Sequence, residues 1–186
     1  MSKNGIINNV LEEENSMNFE DYIAVVEDFP KKGISFKDIS PLLRDGEAFH
    51  KCIDEMAEIV KSMNPTLIIG PESRGFVFGL PISYALKTGF AMARKKGKLP
   101  GEVLSKTYDL EYATTTIEIP AHSLKKGDKV VLVDDLLATG GTLKALIDLI
   151  KESGAEVVGC VTLIELEGLN GKEALEGVPY RSLMRL

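Results

Sequence analysis

The chain has 186 residues, of which 44% are hydrophobic and 27% charged, and these proportions are typical of a globular domain. Its 22 Lys and Arg residues against 28 Asp and Glu give a formal net charge of -6, which argues against generic nucleic-acid binding. No stretch approaches the ~20 apolar residues of a membrane span, and the acidic first residues do not resemble a signal peptide. We therefore expect a cytoplasmic protein that binds neither nucleic acid nor membrane.

The two cysteines, Cys52 and Cys160, lie far apart and lack the spaced partners of a zinc site. We expect both to be buried free thiols in a reducing compartment.

The amino-terminal third contains one well-marked helix. Residues 1–16 are polar and aperiodic, which predicts a loose arm, and residues 17–186 are predicted to form a single domain. A short helix is predicted near Phe19 to Glu27, followed by an irregular stretch. Asp45 can cap the next helix. Its apolar residues recur at helical spacing: Phe49, Cys52, Ile53, Met56, Ala57 and Val60.

The middle of the chain alternates between strands and helices. The pattern predicts a buried strand over 66–70, a helix from about 73 to 87 and a strand over 90–94. Residues 95 to about 118 are rich in Lys, Gly and Thr, which predicts a long excursion, such as a hairpin, away from the core. Excursions of this length tend to be functional or disordered.

The last third repeats the alternation. The apolar run 129–133 predicts a strand, and Leu143, Leu146, Ile147 and Ile150 share one face of a helix that ends near Gly154. A β-rich run follows over 156–165. This order predicts an α/β fold with a central, mainly parallel sheet flanked by helices. Ligands of such sheets bind outside the carboxyl ends of the strands.

The segment from Val130 to Thr142 (VVLVDDLLATGGT) carries the strongest functional signal. Gly140 and Gly141 allow tight backbone conformations, and successive N–H groups in such a turn can bind an anion. The positive end of the following helix and the hydroxyls of Thr139 and Thr142 add to this site. The pattern suits a phosphate monoester, although the Gly-Lys-Ser/Thr ending of a nucleotide P-loop is absent.

Asp134 and Asp135 need a different partner, because a carboxylate beside a phosphate would repel it. Acids in this position accept hydrogen bonds from vicinal ribose hydroxyls in other α/β proteins. A phosphate-binding turn beside two such acids predicts a site for ribose 5-phosphate. A plain strand–turn–helix connection with solvated acids is the alternative, and the full string 130–142 argues against it.

The string 130–142 resembles the signature of type I phosphoribosyltransferases. Further blocks are similar to the adenine phosphoribosyltransferases within that family, and they occur in the family's order from about residue 18 onward. These blocks are Phe29-Pro30 with 33–41 (GISFKDISP), 73–79 (SRGFVFG), 94–101 (RKKGKLPG) and 110–112 (LEY). The resemblance implies the type I fold, with a flexible hairpin loop and a small hood.

The resemblance also implies the reaction: transfer of the 5-phosphoribosyl group from phosphoribosyl pyrophosphate to adenine, giving AMP and pyrophosphate. The loop would bind the ribose 5-phosphate through Asp134, Asp135, Leu136, Ala138, Thr139, Gly140, Gly141 and Thr142. Arg74 would bind the pyrophosphate, for which an Arg fork is well suited. The family pattern adds further cations: Arg94, Lys95, Lys96 and Lys98, some of them acting across a homodimer interface.

For the base, the resemblance implies that Phe36 stacks on one face of the purine and that Leu136 packs on the other. Backbone groups around Ser35 to Lys37 would read the exocyclic amine. Glu111, in the excursion, would accept the proton of the purine ring nitrogen, with Tyr112 beside it closing the site.

Mg²⁺ is the expected cofactor, held through the substrate and without direct protein ligands. Two alternatives stay open at this point. One is a phosphoribosyltransferase for a 6-oxopurine, which would share the ribose-phosphate loop. The other is a non-catalytic sensor of phosphoribosyl pyrophosphate, which would need a DNA-binding domain and would have no use for Glu111.

Overall fold

The computed structural model describes residues 17–110 and 113–186. Contacts between residues divide the chain into two compact units, one up to Cys52 and one from Ile53 onward. The predicted arm, 1–16, lies outside the described residues, and a single domain over 17–186 stays a prediction. Within the described parts of the chain, no helix combines the length and apolar character needed to cross a bilayer.

The first unit begins with a short 3-10 helix, Phe19–Tyr22, followed by the antiparallel strands β1 (Ala24–Val26) and β2 (Phe36–Asp38). Helix α1 (Ser40–Arg44) and the first part of helix α2 (Gly46–Ser62) follow. The predicted helix near Phe19 to Glu27 is therefore wrong after Tyr22. The β-branched Val25 and Val26 favour an extended backbone and pair with β2 instead.

Helix α2 has the predicted cap and the predicted buried stripe. The Asp45 carboxylate accepts hydrogen bonds from the backbone N–H groups of Glu47 (3.1 Å) and Ala48 (2.9 Å). Of the six stripe residues, Phe49 is half-buried and the other five are buried: Cys52, Ile53, Met56, Ala57 and Val60. Cys160 is likewise buried, and neither cysteine forms a disulfide.

The second unit is built on a seven-stranded sheet in the order β5-β6-β4-β3-β7-β8-β9. Strands β4, β3, β7, β8 and β9 run parallel, while β5 and β6 form an antiparallel hairpin joined to β4. This confirms the predicted α/β class and the hairpin. The expectation that the hairpin leads away from the core is wrong, because β6 pairs with β4 and its Ile117 and Ile119 are buried in the main hydrophobic cluster. The strands are β3 (Leu67–Pro71), β4 (Gly89–Lys95), β5 (Val103–Leu110), β6 (Ala113–Pro120), β7 (Lys129–Leu137), β8 (Glu156–Glu165) and β9 (Tyr180–Arg185).

The second unit also contains the rest of α2 and two further helices, α3 (Arg74–Leu86) and α4 (Gly141–Glu152). The predicted apolar face of α4 is buried in the main hydrophobic cluster together with residues of β3 and β7. Short 3-10 helices span Ala121–Ser123, Glu167–Leu169 and Gly171–Leu175. Because β7 pairs with strands on both sides, its apolar run is buried and its carboxyl end is held in place.

Helix α3 begins in direct contact with the sheet. A Cβ atom at Gly75 would lie 2.7 Å from the Pro71 side chain and 2.9 Å from the Val133 carbonyl oxygen. One at Gly70 would lie 2.7 Å from the Gly75 carbonyl oxygen. Real Cβ contacts of this length essentially never occur, so both positions need glycine if α3 is to start this close to β3 and β7.

Replacing Gly75 with Ala should therefore destabilise the fold, although Ala is the better helix former by about 1 kcal/mol. We expect Gly75→Ala to lower the free energy of unfolding in urea by about 1–3 kcal/mol, because the methyl group meets backbone that cannot move aside.

Gly46→Ala is the matched control, since nothing lies within 4 Å of a Cβ at that helical position. It should leave stability unchanged or raise it by at most about 1 kcal/mol. Equal stability of the two variants would contradict the close approach of α3 to the sheet.

Candidate active site

The predicted binding residues of the second unit gather at the carboxyl edge of its sheet. Arg74 begins α3 just after β3, Arg94 lies at the end of β4, and the segment from Asp134 to Thr142 ends β7 and begins α4. Ion pairs join these elements, as described below. The edge is the one at which parallel sheets bind ligands.

The loop between β7 and α4 forms a small concavity suited to an anion. A cavity of about 100 Å³ is lined by residues 136–143. Gly140 has a φ of +82°, and a Cβ there would overlap the Gly171 carbonyl oxygen and lie 2.9 Å from the Ala174 side chain. Gly141, also predicted to adopt a tight conformation, is simply the first residue of α4. The first N–H groups of the helix lack intrahelical partners, and this end carries positive partial charge.

The two acids lie within β7, whereas the sequence predicted that the strand would end at Val133. Pairing with β8 continues to Leu137, and this keeps the backbone extended through Asp134 and Asp135. Asp135 is buried, with 4% of its surface exposed, and Asp134 is half-buried. Both are closer to the interior than an acid that merely faces solvent would be.

Arg74 and Asp135 form an ion pair that links α3 to β7. The Nε atom of Arg74 lies 2.9 Å from Oδ2 of Asp135. Among the described residues, this Oδ2 atom accepts no well-aligned hydrogen bond, so the contact is primarily one of charge. The Arg74 side chain is 36% exposed, so part of it faces the solvent at the carboxyl edge.

Burial makes both acids harder to ionise. It raises the pKa of Asp134 well above the usual range, and the adjacent charge of Asp135 raises it further. Burial also raises the pKa of Asp135, but the Arg74 guanidinium opposes this shift. The Asp134 Oδ1 atom accepts a hydrogen bond from the Asp135 N–H at 2.9 Å. Two buried neighbouring acids, offset by one arginine, are typical of a binding site.

Two glutamates hold the turn that follows β4. Arg94 donates from Nε to Glu72 Oε2 at 2.7 Å and from Nη1 to the Lys98 carbonyl oxygen at 3.1 Å. The Gly97 N–H donates to Oε2 of the buried Glu118 at 2.9 Å. Arg94 is thus engaged within the protein. The neighbouring lysines, Lys95, Lys96 and Lys98, are exposed.

Sequence reasoning missed Glu72 and Glu118. Glu72 lies between β3 and Arg74. An acid directly after a buried strand is a sequence signal that could have marked it as a site residue. Glu118 lies on β6 between two buried isoleucines, Ile117 and Ile119, and only the three-dimensional pairing with the turn reveals its role.

Of the base-recognition residues predicted from the sequence, Ser35, Phe36 and Lys37 lie in the first unit, whereas Leu136 lies in the second, near the end of β7. Phe36 is half-buried and packs edge-to-face on Phe29, with ring centroids 5.2 Å apart. Ser35 donates to Glu27 at 3.0 Å, and the Lys37 ammonium donates to the Ser35 hydroxyl at 3.2 Å. These bonds hold the two side chains beside Glu27, and the backbone from Phe36 to Asp38 pairs with β1.

The two remaining predicted residues, Glu111 and Tyr112, lie outside the described residues. The hairpin that leads to them is regular, with cross-strand pairs from Val103–Pro120 to Leu110–Ala113.

A larger open cavity, of about 730 Å³, lies beside Asn64 and Pro65, between the carboxyl ends of α2 and α3. These residues precede β3, so this cavity is at the amino edge of the sheet, away from the acids and the anion loop. We therefore assign the site to the smaller concavity at the carboxyl edge.

The raised pKa of Asp134 predicts a stability that depends on pH. The pKa of Asp134 in the folded chain lies above its unfolded value of about 3.8. The folded chain therefore loses stability as the pH rises through the folded pKa, whereas a chain with a neutral residue at position 134 does not. Asp134→Asn should therefore raise the Tm at pH 8, by on the order of 3 °C. The gain should shrink steadily as the pH is lowered, and calorimetry over a pH series would show it.

Asp148→Asn serves as the control. Asp148 is paired with Lys144 at 2.6 Å, so its replacement should lower the Tm or leave it unchanged at pH 8. A lower Tm for Asp134→Asn at pH 8 would contradict the unfavourable ionisation of Asp134.

Comparison with known proteins agrees with this geometry. The phosphoribosyl transferase domain family model matches residues 38–183. An adenine phosphoribosyltransferase from Desulfitobacterium hafniense is 50% identical over 170 residues, which cover 91% of this chain and 98% of the relative.

Two solved structures are also similar. The adenine phosphoribosyltransferase of Thermoanaerobacter pseudethanolicus has a TM-score of 0.88 at 44% identity, covering 95% of this chain and 99% of its own. The Giardia lamblia enzyme, complexed with 9-deazaadenine, has a TM-score of 0.86 at 38% identity, with 92% and 99% covered. With half of its residues identical over nearly the whole of such a relative, the chain belongs to the adenine phosphoribosyltransferases of the phosphoribosyl transferase domain family.

Proposed function

We propose that this enzyme transfers the 5-phosphoribosyl group of phosphoribosyl pyrophosphate to adenine, giving AMP and pyrophosphate in purine salvage. The observation that carries the proposal is the continuous segment from Asp134 to Thr142, which places one half-buried and one buried acid beside an anion cavity at a helix start. Membership of the adenine phosphoribosyltransferases supports the choice of base.

In this proposal the 5′-phosphate occupies the cavity at the start of α4. The backbone N–H groups of the loop and the helix end would bind its oxygens, as at other helix N-termini. The side chains of Thr139 and Thr142 would donate further hydrogen bonds, while Ala138 leaves the backbone accessible. Gly140 keeps the loop in the shape that the phosphate needs.

The ribose hydroxyls would be bound by Asp134 and Asp135. Their carboxylates accept hydrogen bonds from a vicinal diol, and burial makes each such bond stronger than it would be in water. Arg74 opposes the rise in the pKa of Asp135 and so favours its ionised form, and the ion pair would hold the arginine beside the sugar.

The pyrophosphate would be bound by the partly exposed Arg74 and by the basic turn after β4. Lys95 and Lys98 supply exposed cations. Arg94 contributes chiefly by holding the turn, because its Nε and Nη1 atoms are engaged by Glu72 and the Lys98 carbonyl oxygen. Opposite charges positioned in advance around a leaving group are the main source of rate enhancement in such a transfer.

For the base, we propose that Phe36 stacks on the purine and that Leu136 provides an apolar contact. The backbone from Ser35 to Lys37 would read the exocyclic amine. The 9-deazaadenine complex of the Giardia lamblia enzyme supports adenine as the base. Glu111 remains the proposed acceptor of the ring-nitrogen proton, with Tyr112 beside it.

Mg²⁺ is part of the proposal. We propose that the ion keeps several waters and is held through the oxygens of the pyrophosphate, without direct protein ligands, because Asp134 and Asp135 are assigned to the ribose hydroxyls and Asp135 is paired with Arg74. When bound, the ion would offset the charge of the pyrophosphate as a Lewis acid. The residues themselves orient the two substrates, exclude water from the activated sugar and hold the leaving group.

We also propose a homodimer in the cytoplasm. Leu80 and Tyr84 are spaced i, i+4 on one face of α3 and are 50% and 88% exposed, and Met92 on β4 is 41% exposed. A second copy that packs on this face would cover them through a two-fold contact. Both cysteines are buried thiols that form no disulfide, which suits a reducing compartment.

A base panel tests the function. The protein, phosphoribosyl pyrophosphate and Mg²⁺ are mixed separately with adenine, hypoxanthine, guanine and xanthine, and nucleotide formation is followed by chromatography. We expect AMP from adenine and no measurable product from the other bases. Turnover of a 6-oxopurine instead would overturn the base assignment, and binding of phosphoribosyl pyrophosphate without turnover of any base would favour a sensor.

Sedimentation velocity tests the dimer. We expect about twice the chain mass of 20.3 kDa for the wild type and a shift toward monomer for Tyr84→Glu, which places a charge on the apolar face. Leu169→Glu changes an equally apolar exposed side chain elsewhere, 47% exposed, and should remain dimeric. A wild type that sediments as a monomer at micromolar concentration would remove the dimer from the proposal.

A further inference from the structure

The hairpin touches the phosphate loop through one pair of hydroxyl groups. Tyr108 lies on β5, and its hydroxyl oxygen is 3.0 Å from Oγ1 of Thr142. Thr142 is the second residue of α4 and lines the anion cavity. Both side chains are half-buried, and the Tyr108 ring packs against the main hydrophobic cluster. A residue that no sequence motif marks thus contacts the predicted phosphate site.

The direction of this hydrogen bond matters to an anion. A threonine hydroxyl has one proton to donate and two lone pairs to accept with. If Thr142 donates to Tyr108, it can offer only lone pairs to the cavity, and these repel a phosphate oxygen. If Tyr108 donates to Thr142, the threonine proton remains available for the phosphate. A bound anion favours the second arrangement, in which each bond strengthens the other.

We propose that Tyr108 is a positioning residue for the 5′-phosphate. Its hydroxyl donates to Thr142 Oγ1 and so directs the Thr142 hydroxyl toward a phosphate oxygen. The inference rests on the proposed function, because it assigns the cavity at the start of α4 to the phosphate of the sugar. It adds to that function a group on the hairpin that does not itself touch the substrate.

Other contacts hold Tyr108 in place for this role. Lys106, two residues earlier and so on the same face of β5, forms an ion pair with Glu152 at the far end of α4. Strand β5 therefore runs along α4 and is attached near both ends of the helix. With its ring packed against the core, Tyr108 has few other positions available, and its hydroxyl is oriented before any ligand arrives.

The test is a double-mutant cycle on ligand binding. Tyr108→Phe removes the hydroxyl and keeps the packed ring, and Thr142→Val removes the donor to the phosphate. Calorimetric titration with ribose 5-phosphate gives the Kd of the wild type, each single variant and the double variant. We expect Tyr108→Phe to weaken binding by about 3- to 10-fold, the usual net effect of one hydrogen bond. The double variant should bind no more weakly than Thr142→Val alone.

Steady-state kinetics separate positioning from a general loss of structure. In Tyr108→Phe, the KM for phosphoribosyl pyrophosphate should rise by the same factor, with the KM for adenine and kcat nearly unchanged. Thr107→Val is the matched control. It removes a hydroxyl–hydroxyl hydrogen bond of similar length, from Thr107 to Thr116 at 2.9 Å, which lies on the same hairpin but away from α4. It should change none of these constants.

An unchanged Kd in Tyr108→Phe, or losses that multiply in the double variant, would overturn the inference. Equal increases in both KM values would also overturn it, because they would indicate a structural role. Failure of the proposed function would be distinguishable. If the wild type makes no AMP but the Kd values for ribose 5-phosphate follow the expected double-mutant cycle, the proposed function is wrong and the role of Tyr108 stands.

Discussion

The close approach of helix α3 to strands β3 and β7 is the constraint on which the site depends. Gly70 and Gly75 leave no room for a side chain between the helix start and the sheet. This contact brings Arg74 within 2.9 Å of Asp135 and so joins the acids of β7 to the arginine of α3. A helix displaced by the width of one methyl group would separate them, and the buried acid would lose its counter-charge.

The arrangement keeps two carboxyl groups in surroundings that oppose their ionisation. Burial opposes the ionisation of Asp134 and Asp135, and the single guanidinium of Arg74 offsets only part of the penalty. Acids kept in an unfavourable state before the ligand arrives can form strong hydrogen bonds to a sugar diol, because little reorganisation is then needed. Stability given up in a binding site is a common feature of enzymes.

Much of this was predictable from the sequence, because hydrophobic periodicity and the 130–142 string are local signals. The helix capped by Asp45 and the β5–β6 hairpin are examples. The strand character of residues 24–26, placed in a predicted helix, is favoured by Val25 and Val26 but is fixed by pairing with β2, the next strand along the chain. The same holds for the site: Glu118 and Tyr108 act through contacts between elements that no local pattern encodes.

We propose that one strand–loop–helix segment binds a phosphate and a ribose diol together. Calorimetric titration with AMP, adenosine and 2′,3′-dideoxy-AMP tests this by comparing their Kd values. Removing either the phosphate or the two hydroxyls should weaken binding by at least about 10-fold, since each change loses charge-assisted hydrogen bonds. Binding of 2′,3′-dideoxy-AMP as tight as that of AMP would contradict the assignment of Asp134 and Asp135 to the ribose.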